Sequence, residues 1–219
     1  MNVCIIRHGE TDWNAIGKLQ GREDIPLNEN GKQQAERCGL ALSKRKWSTI
    51  VTSPLKRAKL TADIIAGILG INEVHEDSDL IERDYGDASG LEKNERSARF
   101  PDGKYTGMED CQLLRNRIAS AVKRAADRFY PEDIIIVSHG SAINSLLAEV
   151  SNGAIGTGKT RLDNACVNLL QYEDGILKIL FYNRSCDDLY TNGGTSWAAS
   201  GKTNSLSQYL DNPTAQPLA

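Results

Sequence analysis

The chain has 219 residues, 40% of them apolar and 25% charged, with a formal net charge of −3. That length suits one domain with a substantial core, and that composition is typical of a soluble globular protein. The charge excludes a global attraction to nucleic acid or to an anionic membrane, so any anion site has to be a local cluster of Arg, Lys and His.

Residues 2–6 read as a short buried strand that ends in Arg7, His8 and Gly9, as a strand does when it delivers reactive groups to its C-terminal end. No basic segment and longer apolar stretch precede it, and no apolar run approaches bilayer length, so a cytoplasmic location is expected. Residues 30–45 place Ala35, Cys38 and Leu42 on one helical face, with Asn30-Gly31 as the start. Residues 48–52 form a second strand run, which opens through Ser53-Pro54-Leu55-Lys56-Arg57 into a helix over 55–69. The stretch 78–108 is polar and irregular, with Gly86, Gly90, Gly103 and Gly107, and reads as a lid. A helix over 109–130 aligns Leu114, Ile118, Val122, Ala125 and Phe129, and Pro131 ends it. A third strand, 133–138, runs into His139 and Gly140, and a helix over 141–151 follows. Two of the three histidines therefore occupy the same strand-His-Gly context. His75 reads as an ordinary surface or edge residue.

The segment Gly153-Ala154-Ile155-Gly156-Thr157-Gly158-Lys159-Thr160 satisfies the P-loop pattern. A P-loop follows a strand and opens a helix, whereas this segment follows a helix and leads toward a strand. It reads instead as a flexible surface loop. Strands at 165–172 and 176–182 flank Glu173-Asp174-Gly175, a hairpin signal. From Thr191 the chain turns rich in Gly, Ser, Thr and Asn. The expected organisation is one domain over 1–190 and a weakly structured tail over 191–219. Cys4, Cys38, Cys111, Cys166 and Cys186 are odd in number and scattered, which suggests free thiols and neither a disulfide framework nor a zinc site.

Strands alternating with amphipathic helices predict an α/β protein. The form expected is a three-layer α/β/α sandwich with a mostly parallel, mixed central sheet. Ligands of such sheets bind outside the carboxyl ends of the strands. Arg7 and His8, Arg57 and His139 would converge there with the N-terminus of the 55–69 helix. That is an electropositive pocket of phosphate size.

Four blocks in order resemble the histidine phosphatase superfamily, the phosphoglycerate mutase-like family, over roughly residues 2–185. They are Arg7-His8-Gly9-Glu10-Thr11 with Asn14 and Gln20-Gly21, then Ser53 to Ala58, then Glu82 to Gly86, and last Ser138-His139-Gly140. Asp24-Ile25-Pro26-Leu27, Gly31 and Gln34-Ala35 extend the first block. The resemblance implies that His8 is the nucleophile, that Arg7, Arg57 and His139 hold the phosphate oxygens, and that Glu82 is the acid and base. It implies a substrate-binding lining of Asn14, Gln20, Gly21 and Gly140, with Glu10 as the fallback acid. The family motif usually places Trp and Glu where this chain has Ala88 and Ser89, so the rim is expected to differ. No cofactor and no metal are implied. The partner would be a small phosphomonoester, with neither nucleic acid nor membrane; a homodimer is one option for the assembly.

The leading function is thus a metal-independent phosphomonoesterase acting through phosphohistidine. The runner-up is a phosphoglycerate mutase. The resemblance implies a longer insertion in mutases than the residues 83–138 that separate Glu82 from His139 here. A non-catalytic phosphate-binding domain is the third option, and the presence of all five key residues argues against it.

Overall fold

A computed structural model describes residues 1–191. Its centre is a six-stranded sheet in the order β3-β2-β4-β1-β5-β6. The strands are β1 (Asn2–Arg7), β2 (Thr49–Thr52), β3 (Val74–Glu76), β4 (Ile134–Ser138), β5 (Val167–Glu173) and β6 (Ile176–Arg184). The first four run parallel, and β5 and β6 are antiparallel additions. The mixed, mostly parallel sheet expected from the sequence is therefore present. β3 is a short edge strand, and His75 within it stacks on Phe129 at a ring separation of 5.4 Å.

The helices are α1 (Asp12–Ala15), α2 (Glu29–Leu42), α3 (Lys56–Leu69), α4 (Lys93–Arg99), α5 (Cys111–Phe129), α6 (Gly140–Val150) and α7 (Cys186–Thr191). Alternation along β1 and β4 divides the core. Val3, Ile5, Ile134 and Ile136 pack against Leu114, Ile118, Ile143 and Leu146 of α5 and α6. Cys4, Ile6, Ile135 and Val137 pack against Cys38, Ala58, Ile65 and Leu189 of α2, α3 and α7. Both faces of the central strands are thus covered, which gives the three layers and explains their continuous apolar runs. Burying each such Ile or Leu contributes about 1.5–3 kcal/mol.

Local chemistry sets the ends of these elements. Asn28, not Asn30, caps α2, its side-chain oxygen accepting from Gly31 N at 2.8 Å. The helix stops at Leu42 instead of running to 45. Asp110 caps α5 by accepting from the amides of Gln112 and Leu113. Gly9 and Gly31 are a close-approach pair. A Cβ on Gly9 would lie 2.4 Å from Gly31 O, and one on Gly31 would lie 2.1 Å from Glu10 O. That contact presses the loop after β1 onto the start of α2.

All five cysteines are free, four of them buried and Cys111 exposed. No helix among the described residues is long and apolar enough to cross a membrane. The tail expected from Thr191 lies outside the described residues except for Thr191, which ends α7.

Candidate active site

β1 and β4 are neighbours in register, with Arg7 opposite Ser138. Their next residues, His8 and His139, therefore emerge side by side at the carboxyl edge. Their ring centroids lie 5.1 Å apart, and His8 N donates to Ser138 O at 3.0 Å. Beside them opens a cavity of about 370 Å³ whose lining includes Arg7, His8, Arg57, Glu82, Tyr85 and Gly140.

The His8 ring is buried and fixed in one tautomer. Its Nδ1 lies 2.6 Å from Gly9 O, and its Nε2 faces Arg57 Nε at 3.2 Å. A carbonyl oxygen only accepts and a guanidinium only donates, so Nδ1 carries the proton and Nε2 presents its lone pair. Burial, then Arg57 and Arg7, hold the His8 pKa well below the usual 6.5. A neutral imidazole whose Nε2 carries the lone pair is the nucleophilic form.

Arg57, only 1% exposed, is the organising cation. It donates to Glu23 O at 2.6 Å and to Gly21 O at 2.8 Å in addition to His8. Burial pulls its pKa down to about 10, so it remains charged at neutral pH. Arg7 donates through Nη1 to Leu162 O at 2.6 Å, while its buried Nε has no partner among the described residues. His139 is fully buried, and its pKa is held well below 6.5 by burial, then by Arg57 and His8. Its Nε2 lies 2.8 Å from Ser53 Oγ, which already accepts from Leu55 N. Ser53 is thus free to donate its hydroxyl proton to Nε2. Among the described residues the Nδ1 of His139 has no partner.

Glu82 sits on the N-terminus of α6. Its carboxylate accepts from Ser141 N and Ala142 N, both at 3.1 Å, and from Arg83 N at 2.8 Å. Arg117 anchors the segment that carries it, donating to Asp79 O, Ile81 O and Glu82 O while paired with Glu109 at 2.6 Å. Tyr85 hydrogen-bonds Ser141 Oγ, and burial together with Glu82 pushes its pKa up to about 12. It is therefore a neutral hydroxyl at the cavity wall.

The residues expected from the sequence assemble with two corrections. Arg7, His8, Asn14, Gln20, Gly21, Arg57, Glu82 and Gly140 all line the cavity, and His139 adjoins His8. The side-chain oxygen of Asn14 accepts from Thr11 and Asn164, so its amide hydrogens are the groups left for a ligand. Among the described residues the buried Gln20 Oε1 has no partner. The first correction concerns the helix that helps form the site. At the start of α3, Asp24 Oδ1 takes Lys56 N at 2.7 Å. The N-terminus that faces the cavity belongs to α6, and Glu82 occupies it. The second concerns Glu10, which accepts from Asn28 Nδ2 at 2.9 Å and lies outside the lining. It braces α2.

Two segments also differ from expectation. Within the stretch 78–108 expected as a lid, residues 82–91 form an anchored wall, because Gly90 N donates to Leu19 O and Leu19 N to Leu91 O. Ala88 is buried in that wall, and Ser89 Oγ packs against Gly21. The stretch 153–160 is indeed no P-loop, but neither is it a free surface loop. Ile155 is buried, and a Cβ on Gly156, at φ +97°, would lie 2.3 Å from Asn144 O. Sequence reasoning missed Lys18, Tyr85, Asn144, Arg161 and Asn164 of the lining. Lys18 and Tyr85 lie within the first and third blocks without being singled out there, and Asn144, Arg161 and Asn164 lie in a helix and a loop outside the four blocks. Among the described residues no cluster of three or more His, Cys, Asp or Glu could hold a metal.

Fold and site define an α/β protein with a cationic pocket at the carboxyl edge of its sheet. Residues 3–185 match the histidine phosphatase superfamily (branch 1), and the chain belongs to that family. It is similar to the uncharacterized phosphatase PhoE of Bacillus subtilis (strain 168), 44% identical over 181 residues, covering 83% of this chain and 93% of that protein. It is 38% identical over 186 residues to phosphoglycerate mutase-like protein 4 of Arabidopsis thaliana, covering 79% and 80% of the two chains. Among solved structures it resembles the mycobacterial glucosyl-3-phosphoglycerate phosphatase complexed with VO3. That match has a TM-score of 0.76 and 26% identity, covering 84% of this chain and 99% of the other. The chain is a histidine phosphatase by family and by its phosphatase-named relative.

Proposed function

We propose that the chain hydrolyses small phosphomonoesters in two displacements through a phosphohistidine on His8. In the first, His8 Nε2 attacks phosphorus, the P–O ester bond breaks, and Glu82 gives a proton to the departing alcohol. In the second, Glu82 takes a proton from water, the water oxygen attacks phosphorus, the N–P bond breaks, and inorganic phosphate leaves. Splitting the reaction in this way replaces one hard step with two easier ones.

The observation that carries the reading is the fixed tautomer of His8. The Gly9 carbonyl at Nδ1 and the Arg57 donor at Nε2 leave one nitrogen with a lone pair, and it is the one nearest the cationic cluster. When phosphate enters, Arg57 Nε–H is the donor that turns from that lone pair to an oxygen. Arg7 Nε–H, buried and without a partner among the described residues, supplies a further donor, and His139 stands beside His8. Asn14, Gln20, Gly21 and Gly140 complete the binding wall. Fixed guanidinium groups supply the charge stabilisation, so no divalent cation is required. The phosphatase name of the Bacillus subtilis relative and the oxyanion bound by the mycobacterial neighbour support the same chemistry.

Release of p-nitrophenol from p-nitrophenyl phosphate in excess EDTA, lost in His8→Ala, is the expected result. Activity that appears only with an added divalent metal would overturn the mechanism. Interconversion of 2- and 3-phosphoglycerate faster than phosphate release would replace hydrolysis with the mutase reading.

A further inference from the structure

Arg117 lies on α5, outside the cavity lining and outside the four sequence blocks. Its side chain is only 14% exposed. A guanidinium has five N–H donors, and here all five are used within the protein. Nη1 donates to Asp79 O and to Ile81 O, each at 2.7 Å. Nη2 donates to Glu82 O at 3.0 Å and to Glu109 Oε2 at 2.8 Å, and Nε donates to Glu109 Oε1 at 2.6 Å. No donor is left for a ligand, so this arginine orders the chain and binds no substrate.

What it orders is an irregular segment. Residues 81–84 belong to no helix or strand and lie between 3-10 turns at Ser78–Leu80 and Gly86–Ala88. The Arg117 fork takes the carbonyls that a sheet ladder would otherwise take. Glu109 closes the clamp from the other side. Its amide donates to Asp84 O at 2.9 Å, and its carboxylate accepts from Asp84 N at 3.2 Å. Its carbonyl accepts from Nε and Nη2 of Arg83, at 3.0 and 2.8 Å. Glu82 is thus held through its own carbonyl and through both residues that follow it. Burial acts to raise the Glu109 pKa, but the bonds and charge of Arg117, then the Asp84 amide, hold it below the usual 4.5. Glu109 also meets Arg22 at 3.5 Å, beside the Gly21 and Glu23 carbonyls that hold Arg57. Arg22 is 41% exposed, and such a pair contributes little. The clamp therefore acts on Glu82 far more than on the phosphate-binding cations.

We propose that Arg117 and Glu109 are positioning residues for proton transfer, which set where the Glu82 carboxyl stands and leave the attack of His8 on phosphorus untouched. This rests on the phosphatase reading above and extends it to two residues that touch neither substrate nor His8. Backbone displaced at Glu82 would carry its carboxyl off the amides of Ser141 and Ala142. The departing alcohol would then lose its proton donor, since a general acid has to stand within hydrogen-bond reach of the leaving oxygen. A lysine at 117 has three donors on a point charge and cannot replace a planar fork that fills five.

Leaving-group dependence tests this, because a merely structural role would not change it. In Arg117→Lys and Glu109→Gln, kcat/KM should fall about 10- to 30-fold for glycerol 3-phosphate, whose alcohol needs a proton. It should fall no more than about threefold for p-nitrophenyl phosphate, whose leaving group needs none. Equal losses for the two esters, or no loss for either, would overturn the positioning role. If a single variant fails to fold, Arg117→Met/Glu109→Gln removes both charges and leaves no buried ion unpaired, and the same two ratios decide. A second readout needs no turnover. Hydrogen exchange at the Ser141 and Ala142 amides should quicken about tenfold in Arg117→Lys, as the Glu82 carboxyl leaves them. If the parent protein does not hydrolyse p-nitrophenyl phosphate, the hydrolytic reading falls, and exchange alone decides the clamp. Unchanged exchange at both amides overturns it, and faster exchange upholds it.

Discussion

The floor and the rim of the cavity are built in different ways. The floor consists of residues at the ends of two paired parallel strands and the first turn of one helix, and His8, Arg57 and His139 in it are at most 2% exposed. Its geometry follows from strand register, since Arg7 opposite Ser138 puts His8 beside His139. The rim comes from loops, held by side chains that reach across the fold, such as Arg117 under Glu82 and Asn183 under Arg161. A pocket divided in this way keeps the reacting atoms rigid and assigns the choice of substrate to residues that can change without disturbing them.

The contrast predicts a graded series of effects. His8→Ala removes the attacking atom and should lower turnover by at least about 10⁴ for every phosphoester, by analogy with nucleophiles that act as part of a unit. Arg57→Gln keeps a donor near His8 but loses the charge, and should cost on the order of 10²–10³ in kcat. A similar loss for all substrates would mark it as floor. Glu82→Gln belongs to both regions. It should cost about 10² for alkyl phosphates, whose alcohols need a proton, and far less for p-nitrophenyl phosphate, whose leaving group does not. An equal loss for both would remove Glu82 from the acid role.

The floor also predicts a pH signature in stability. His8 and His139 are neutral in the folded state, with pKa values well below the usual 6.5. Below pH 6.5 the unfolded chain binds protons that the folded chain does not. Stability should therefore be fully present above that pH and fall as pH drops toward the depressed folded values, by up to about 1.4 kcal/mol per pH unit per histidine. Urea melts of the parent and of His8→Asn/His139→Asn between pH 7.5 and 5 check this, and an unchanged slope in the double variant would contradict it. Tyr85→Phe, a rim change that loses only the bond to Ser141, should have the smallest effect, about two- to fivefold in kcat/KM.

The same division decides what could be read from the chain. Arg7, His8, Arg57, His139 and Gly140 stand next to apolar runs or turns that mark strand ends and a helix start, so local pattern places them. The antiparallel pair β5–β6 was visible because Asp174-Gly175 fits a hairpin turn, with φ of +50° and +79°. Lys18, Tyr85, Asn144 and Arg161 carry no such marker. Their positions depend on contacts between residues far apart in sequence, such as Arg7 with Leu162. Asp24 had a motif around it, but its use as the cap of α3 depends on a loop closing over 32 residues. Glu10 shows the opposite error, because as part of the Arg7–Thr11 block it stood as the fallback acid and its contact with Asn28 makes it a brace.

The most direct test of the account is where phosphate goes in the covalent intermediate. Rapid quenching of the enzyme with a ³²P-labelled phosphomonoester, followed by peptide mapping, should give label on His8. The label should be stable in base, released in acid, and absent from His8→Ala. Label that survives acid, or that maps to a residue other than His8, would contradict the nucleophile that the tautomer of His8 defines.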